Sequence, residues 1–470
     1  MRIHRLLALV TAVLLVGAVG TASAQNYGTD ARKIAMGGQG GDSSNIASGM
    51  VDKASPYTAI VLPLGLFQIF KDGFDKFNPD SDNFNPVAAI EDATNPLHYT
   101  FGRGTTDTGT EFINDLRDGN LNSNLTSYIG FKIPTSVRAQ GLGMPQGGGT
   151  IKFAKNKTTG AFQGVYVGAG PYLGFDTGMT VAQPLADMLS NGTASACVAC
   201  MVTNTTHVQA AMAVTIGYRG HVALKSSQSP RDGVYVAYNY HILRGFRYLD
   251  ESLAIRVDTN AAGQYTYPIQ TPPINPIFIT ATQASRGTGH ASDIGVVVVR
   301  NFFEVGFGIN GIGNGIDWEG FTQKVIAMDT SLTSLGDITS TSVPTTLTTV
   351  TVKMPIVISE SLAFQAGGWG FMGSLAQKKA PSSSAGVIGM GYDEKSFHGG
   401  VERKVGPFWL RGGGRYSRDK WDPTYGFGIG NKIALDFGFY GTHANLEGKR
   451  QTTMAMSIRF NHAPKPAGQQ

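Results

Sequence analysis

The chain predicts an all-β fold, a transmembrane antiparallel β-barrel of roughly 12–16 strands with an N-terminal segment as a candidate plug and short helices in its loops. Three observations predict it. The start reads as an export leader. The composition is charge-poor and rich in glycine and aromatic residues: 15% charged, 62 Gly and 10% aromatic in 470 residues, against ~25% charged in typical soluble domains. Segment after segment alternates apolar with small or polar residues, the dyad period of a wall with one face on lipid.

The leader covers Met1–Ala24. Arg2 and Arg5 form its positive start, Leu6–Gly20 its apolar run, and Ala22-Ser23-Ala24 an A-x-A cleavage site. Its apolar run is short of the ~20 residues that a spanning helix needs. Cleavage after Ala24 sends the rest of the chain out of the cytoplasm, and a bacterial outer membrane is the expected location. The formal charge is +5, and Arg2 and Arg5 carry two of those positives, which leaves +3 after cleavage. With no polybasic run and no basic helix, nucleic acid is not an expected partner.

The expected division is 1–24 leader, 25–56 lead-in, 57–460 barrel and 461–470 tail. Tyr27–Gly41 (YGTDARKIAMGGQGG) is polar and Gly-rich. It reads either as a plug folded inside the barrel or as a linker ahead of the first strand. Leu66–Phe77, Thr110–Leu121 and Gln183–Leu189 have helix-like spacing.

The strands follow by parity. Val165, Val167, Ala169, Pro171, Leu173 and Phe175 oppose Tyr166, Gly168, Gly170, Tyr172 and Gly174. Met212, Val214, Ile216 and Tyr218 oppose Thr215, Gly217 and Arg219. Val234–His241, Leu253–Asp258, Val350–Ile358, Phe408–Arg411 and Ile433–Tyr440 alternate in the same way. The last such stretch is Thr452–Phe460, where Met454, Met456, Ile458 and Phe460 oppose Thr453, Ala455, Ser457 and Arg459. It is the expected closing strand, pairing with the first strand near Tyr57–Phe70. Several segments reach the ~9–11 residues of a tilted spanning strand. Thr259–Thr288, Thr330–Thr349 and Ala376–Gly386 read as long loops, and Ser417–Pro423 as a short polar break. Trp369, Trp409 and Trp421 suit either interfacial girdles or ordinary packing.

The polar faces carry Arg219, Arg256, Lys353, Arg411, Arg415 and Arg459, set against Asp258 and Asp436. These basic residues are expected to point into the lumen. Two readings stand: a net positive lumen that favours anionic or amphipathic solutes, or pairing with acidic loop or plug residues that holds the barrel closed.

Cys197 and Cys200 are the two cysteines. In an oxidising compartment the C-x-x-C pair reads as a local disulfide, with free thiols as the alternative. A thioredoxin-like site would need a βαβ context, and a c-type haem site a His where Met201 stands. Gly306–Gly311 matches GxGxxG, but Ile312-Gly313-Asn314-Gly315 cannot begin the helix that the motif requires, so it reads as a Gly-rich strand or turn. No nucleophile elbow, zincin or EF-hand pattern occurs, and the His residues show no metal-ligand spacing. No enzyme activity, metal or cofactor is expected.

Asp30–Gly38 (DARKIAMGG) resembles the opening of a group of outer-membrane barrels that includes the FadL-type long-chain fatty-acid transporters and the TraF-type conjugation-associated barrels. Ser55–Phe70, with Leu62-Pro63-Leu64-Gly65, is similar to their first strand. The stretch from Gly400-Val401-Glu402 through Leu410–Gly413 to Phe460 resembles their last hairpins. Where FadL-type chains usually carry Asn-Pro-Ala, this chain reads Lys53-Ala54-Ser55-Pro56-Tyr57. The resemblance implies passive passage of small hydrophobic or amphipathic molecules, with outer-membrane lipid as surroundings. The alternatives are a structural or assembly barrel with envelope protein partners, in a conjugation or secretion system, and a soluble periplasmic β-protein.

Overall fold

The structure, a computed structural model, describes residues 31–37, 45–53, 57–72, 98–101, 136–143, 147–156, 158–191, 196–224, 229, 231–261, 265–266, 277–331, 334–417, 420–442 and 451–461. The leader, Thr110–Leu121 and the tail beyond 461 lie outside them. The described helices are α1 (Ala31–Ala35), α2 (Ser48–Lys53), α3 (Leu64–Asp72) and α4 (Gln183–Asn191). The strands are β1 (Tyr57–Val61), β2 (Tyr99–Thr100), β3 (Ser136–Gly143), β4 (Gly147–Lys155), β5 (Phe162–Val181), β6 (Cys197–Ala223), β7 (Gly233–Thr259), β8 (Tyr265–Thr266), β9 (Ile277–Ala284), β10 (Arg286–Arg300) and β11 (Phe303–Glu319). They continue as β12 (Thr322–Ser331), β13 (Ser334–Val343), β14 (Thr349–Lys353), β15 (Ile356–Ala366), β16 (Trp369–Lys379), β17 (Val387–Gly389), β18 (Glu394–Val405), β19 (Phe408–Ser417), β20 (Lys420–Ile429), β21 (Ile433–Thr442) and β22 (Gln451–Asn461).

The first strand pairs with the last. β1 lies antiparallel to β22, with Ala59 opposite Arg459. From β22 the wall runs through β21, β20, β19, β18, β16 and β15. It continues through β11, β10, β7, β6 and β5 to β4. Every one of these pairings is antiparallel, and the chain is an antiparallel β-barrel. Such a wall satisfies its backbone N–H and C=O groups strand to strand, which is what allows it to stand in hydrocarbon. Among the described residues no helix is long and apolar enough to cross a membrane.

The alternation follows the expected parity. Ile216 is 51% exposed, and its neighbour Thr215 is 0% exposed. On β22 Thr453, Ala455, Ser457 and Arg459 are buried while Met454, Met456, Ile458 and Phe460 are half-exposed. The faces therefore divide into an outer apolar one and an inner one of small, polar and charged residues.

The two ends of the barrel differ. Asn301–Phe302, Gly367–Gly368 and Gly406–Pro407 make tight turns at one end. The long connections leave from the other, where β6 and β7 run 27 residues each. At ~3.4 Å per residue these strands are roughly 90 Å long, several times the span of a bilayer core, so they project beyond it. Aromatic rings mark both levels of the outer face. Phe302, Phe303, Phe364, Phe371 and Trp369 touch one another beside the tight turns. Trp421 meets Phe397 and Tyr416 at the opposite level. Trp409 does not join them: it points inward, with the Arg459 guanidinium 4.9 Å from its ring centre.

Several expectations are corrected. Thr259–Thr288 is not a plain loop. It contains β8 and β9, and β9 pairs with β7 and β12, extending the sheet past the barrel. Thr330–Thr349 contains β13, the partner of β12, and the stretch read as Ala376–Gly386 begins inside β16. Val350–Ile358 is two strands rather than one. Pro355 lacks the N–H a ladder needs, and the break there turns Val350, Val352 and Met354 inward while Ile356 and Leu362 face out. Lys353 is consequently exposed on the outer side, not in the lumen. The helical reading of Leu66–Phe77 lands on α3 as far as Asp72, and residues 73–77 lie outside the described ones; α3 begins at Leu64 after Pro63, a residue pre-set for a helix start. That of Gln183–Leu189 lands on α4.

An arginine on the outer face tests this assignment. Ile216→Arg should destabilise the barrel in lipid vesicles by about 2–4 kcal/mol, the cost of an exposed Arg at the bilayer midplane. The midpoint of urea-driven unfolding measures it.

Candidate functional site

The candidate site is the barrel interior, and its first occupant is the N-terminal segment. Ala31, Ile34, Ala35 and Met36 are all 0% exposed. α1 lies on the inner faces of β19–β22. Its small residues allow that approach, and so do glycines in the wall. A Cβ at Gly438 would collide with the Ala31 carbonyl, and one at Gly400 with the Met36 backbone. Further along, Asn45 donates from Nδ2 to the Val296 carbonyl of β10 at 3.2 Å. Ala47 and Val51 pack with Tyr235, Ala237, Val297 and Val299 of β7 and β10. One short segment thus meets the inner wall on two sides.

Charge holds it there. Arg32 of α1 donates through Nε and Nη2 to both oxygens of Glu402 on β18. Glu402 also accepts from Arg411 Nε on β19 at 3.1 Å. Arg411 Nη1 reaches Asp436 Oδ1 on β21 at 2.8 Å, and Arg459 Nε on β22 reaches Asp436 Oδ2 at 2.7 Å. Three guanidiniums and two carboxylates form one buried chain from the segment across four strands. Arginine suits it because its planar fork can bridge two carboxylates at once.

The remaining sequence-expected cations are also engaged. Arg415 sits 3.1 Å from Asp422, and Arg256 3.0 Å from Asp258. Arg219 donates from Nη1 to the Tyr218 and Tyr238 carbonyls at 2.9 and 3.1 Å, and stands over the Tyr166 ring. Arg219, Arg256, Arg411, Arg415 and Arg459 are thus buried and engaged, and do not form one ring of exposed positive charge. Lys353 is not among them. Arg32 and Glu402 were missed by the sequence reading. The parity of Ser396, His398, Gly400 and Glu402 on β18, all partly or fully buried, was the signal that could have found Glu402.

Toward the long-connection end the interior changes character. Tyr172, Ala211, Ala213, Leu243, Ile316 and Trp318 lead a buried apolar cluster that includes Val350, Val352, Met354 and Met390 from the connections. Two of its polar atoms are paired: Tyr172 donates to Asn314 Oδ1 at 2.7 Å and Trp318 Nε1 to Gln209 Oε1 at 3.3 Å. Cys197 and Cys200 lie at this end and are bonded to each other across a bulge in β6, with Cα atoms 5.8 Å apart. Among the described residues no group of His, Cys, Asp or Glu could hold a metal ion.

No family model matches the sequence, and no curated protein matches it. Solved structures match it at low similarity. The toluene transporter TodX of Pseudomonas putida is 13% identical, with a TM-score of 0.31, covering 72% of this chain and 92% of its own. The toluene transporter TbuX of Ralstonia pickettii is 11% identical at a TM-score of 0.31, covering 73% and 94%. A FadL homologue of Pseudomonas aeruginosa is 11% identical at 0.32, covering 70% and 89%. At these values the likeness assigns neither a family nor an activity to this chain.

Two measurements bear on the site. Glu402→Ala strands Arg32 and Arg411 without their shared carboxylate, and should lower stability by about 3–5 kcal/mol, as breaking one partner of a buried ion pair does. Urea unfolding in vesicles reads it. Mass spectrometry after alkylation should show no label on Cys197 or Cys200 without reductant and two labels after reduction.

Proposed function

We propose that the chain is a bacterial outer-membrane channel for passive passage of small hydrophobic or amphipathic molecules, with residues 31–37 and 45–53 as a plug tied to the wall. The reading includes export by the Met1–Ala24 leader and its cleavage after Ala24. The observation that carries it is the layered interior: an apolar cluster at one end above a segment latched by Arg32 to Glu402. Apolar lining selects solutes by removing them from water, at roughly 25 cal/mol per Å² of apolar surface. A latch of one helical turn can shift without disturbing the fourteen wall strands named above, because none of its contacts belongs to the ladder. Paired interior arginines favour solute selection by apolar contact over selection by net positive charge.

Liposomes test the reading. The protein reconstituted in vesicles should admit a small aromatic hydrocarbon or a medium-chain fatty acid faster than a sugar of equal size. Gly438→Leu, which places a side chain where Ala31 lies, should displace α1 and raise single-channel conductance. Equal uptake of sugar and hydrocarbon, or no uptake of either together with co-purifying envelope proteins, would turn the assignment toward an assembly barrel.

A further inference from the structure

β11 is broken midway. It pairs with β15 as far as Asn310, opposite Val357, and with β14 again only from Gly315, opposite Lys353. On its other side the register with β10 shifts twice, between His290 and Ile294. Gly311 and Gly313 both adopt left-handed backbone, with φ of +80° and +67°. That conformation costs an L-residue about 1–2 kcal/mol, which explains glycine at both places. The facing chain has Pro355 here, which has no N–H to give a β11 carbonyl. The Gly311 N–H donates inward, to Asp293 Oδ1 at 2.9 Å.

Asp293 is itself held. Its Oδ2 lies 2.6 Å from His241 Nε2, and Thr215 Oγ1 lies 2.7 Å from His241 Nδ1. Thr215 and His241 are 0% exposed and Asp293 is 2%. An ionised carboxylate only accepts, so Nε2 carries a hydrogen, and in the neutral ring Nδ1 accepts from the threonine hydroxyl. The chain of bonds runs from β6 through β7 and β10 to the break in β11. It lies between the apolar outer cluster and the lower patch of Ala47, Val51, Tyr235 and Val297.

We propose that Asp293, oriented by His241 and Thr215, is a positioning residue that holds β11 in its broken path and so sets the width of the interior below the apolar cluster. The sequence marks none of the three as a site, because they stand on separate strands, at positions 215, 241 and 293. The effect on passage rests on the channel reading above, whereas the tie itself does not.

The test uses full-length protein in detergent micelles and vesicles, with heat-modifiable gel migration to confirm folding. Asp293→Leu removes the acceptor. Amide exchange at Gly311 should rise about tenfold, the factor that loss of one buried hydrogen bond implies, and the uptake ratio of a large to a small apolar solute should change by about threefold. Asp293→Asn keeps an acceptor for Gly311 and presents an N–H₂ to His241. Both readouts should then stay near the parent. Nitrogen NMR should find the His241 hydrogen moved from Nε2 to Nδ1, where it donates to Thr215, a change that a packing role alone would not produce. If Asp293→Leu fails to fold, Thr215→Val should raise the Gly311 exchange by a smaller factor. Unchanged exchange at Gly311 overturns the tie, and raised exchange with an unchanged uptake ratio overturns its control of passage. If the parent passes no solute, the channel reading falls, and exchange and tautomer still decide the tie.

Discussion

A backbone in hydrocarbon has no water to bond, and each unpaired N–H or C=O there costs several kcal/mol. The organisation of this protein follows from that constraint. Among the described residues the ladder runs from β1 to β22 and round to β4. At Gly311–Asn314 the described pairing of β11 with β14 and β15 lapses, and the carboxylate of Asp293 accepts from the N–H of Gly311. The same constraint explains why the chain lacks long hydrophobic runs: the wall needs apolar residues only at every second position.

Once the outer face is given to lipid, the inner face must dispose of its charges. The structure does so by closing them on one another. Glu402 and Asp436 each accept from two guanidiniums, so no charge on this chain of contacts is buried without its opposite. Buried ion pairs add little net stability compared with an apolar packing of the same volume, since desolvation offsets most of the attraction. Their consequence here is geometric. Arg32 meets Glu402 where α1 lies, and glycines at 400 and 438 leave room for it there. Register of the inner segment is thereby specified by charge and by missing side chains together.

The interior is thus layered, from the patch under Asn45–Val51, through the His241–Asp293 level, to the apolar cluster around Trp318. A solute moving through it would meet surfaces of different polarity in turn. The connections take part in the last layer, because the Pro355 break swings Val350, Val352 and Met354 over the barrel mouth.

Parity along the strands was legible from residue order alone, since a strand reverses its face at every residue whatever it pairs with. The alternation of Thr452–Phe460 and the buried positions of Arg219, Arg256, Arg411, Arg415 and Arg459 follow from it directly. Where a strand bends, parity fails, and Lys353 was misassigned because Pro355 interrupts the count. Pairing across hundreds of positions was not legible. Nothing in the local sequence joins Arg32 to Glu402, or Thr215 to His241 and Asp293. These contacts arise from curling the sheet until its inner face meets itself and the segment inside it. Local chemistry sets which way each side chain points, and closure of the wall sets what it meets there.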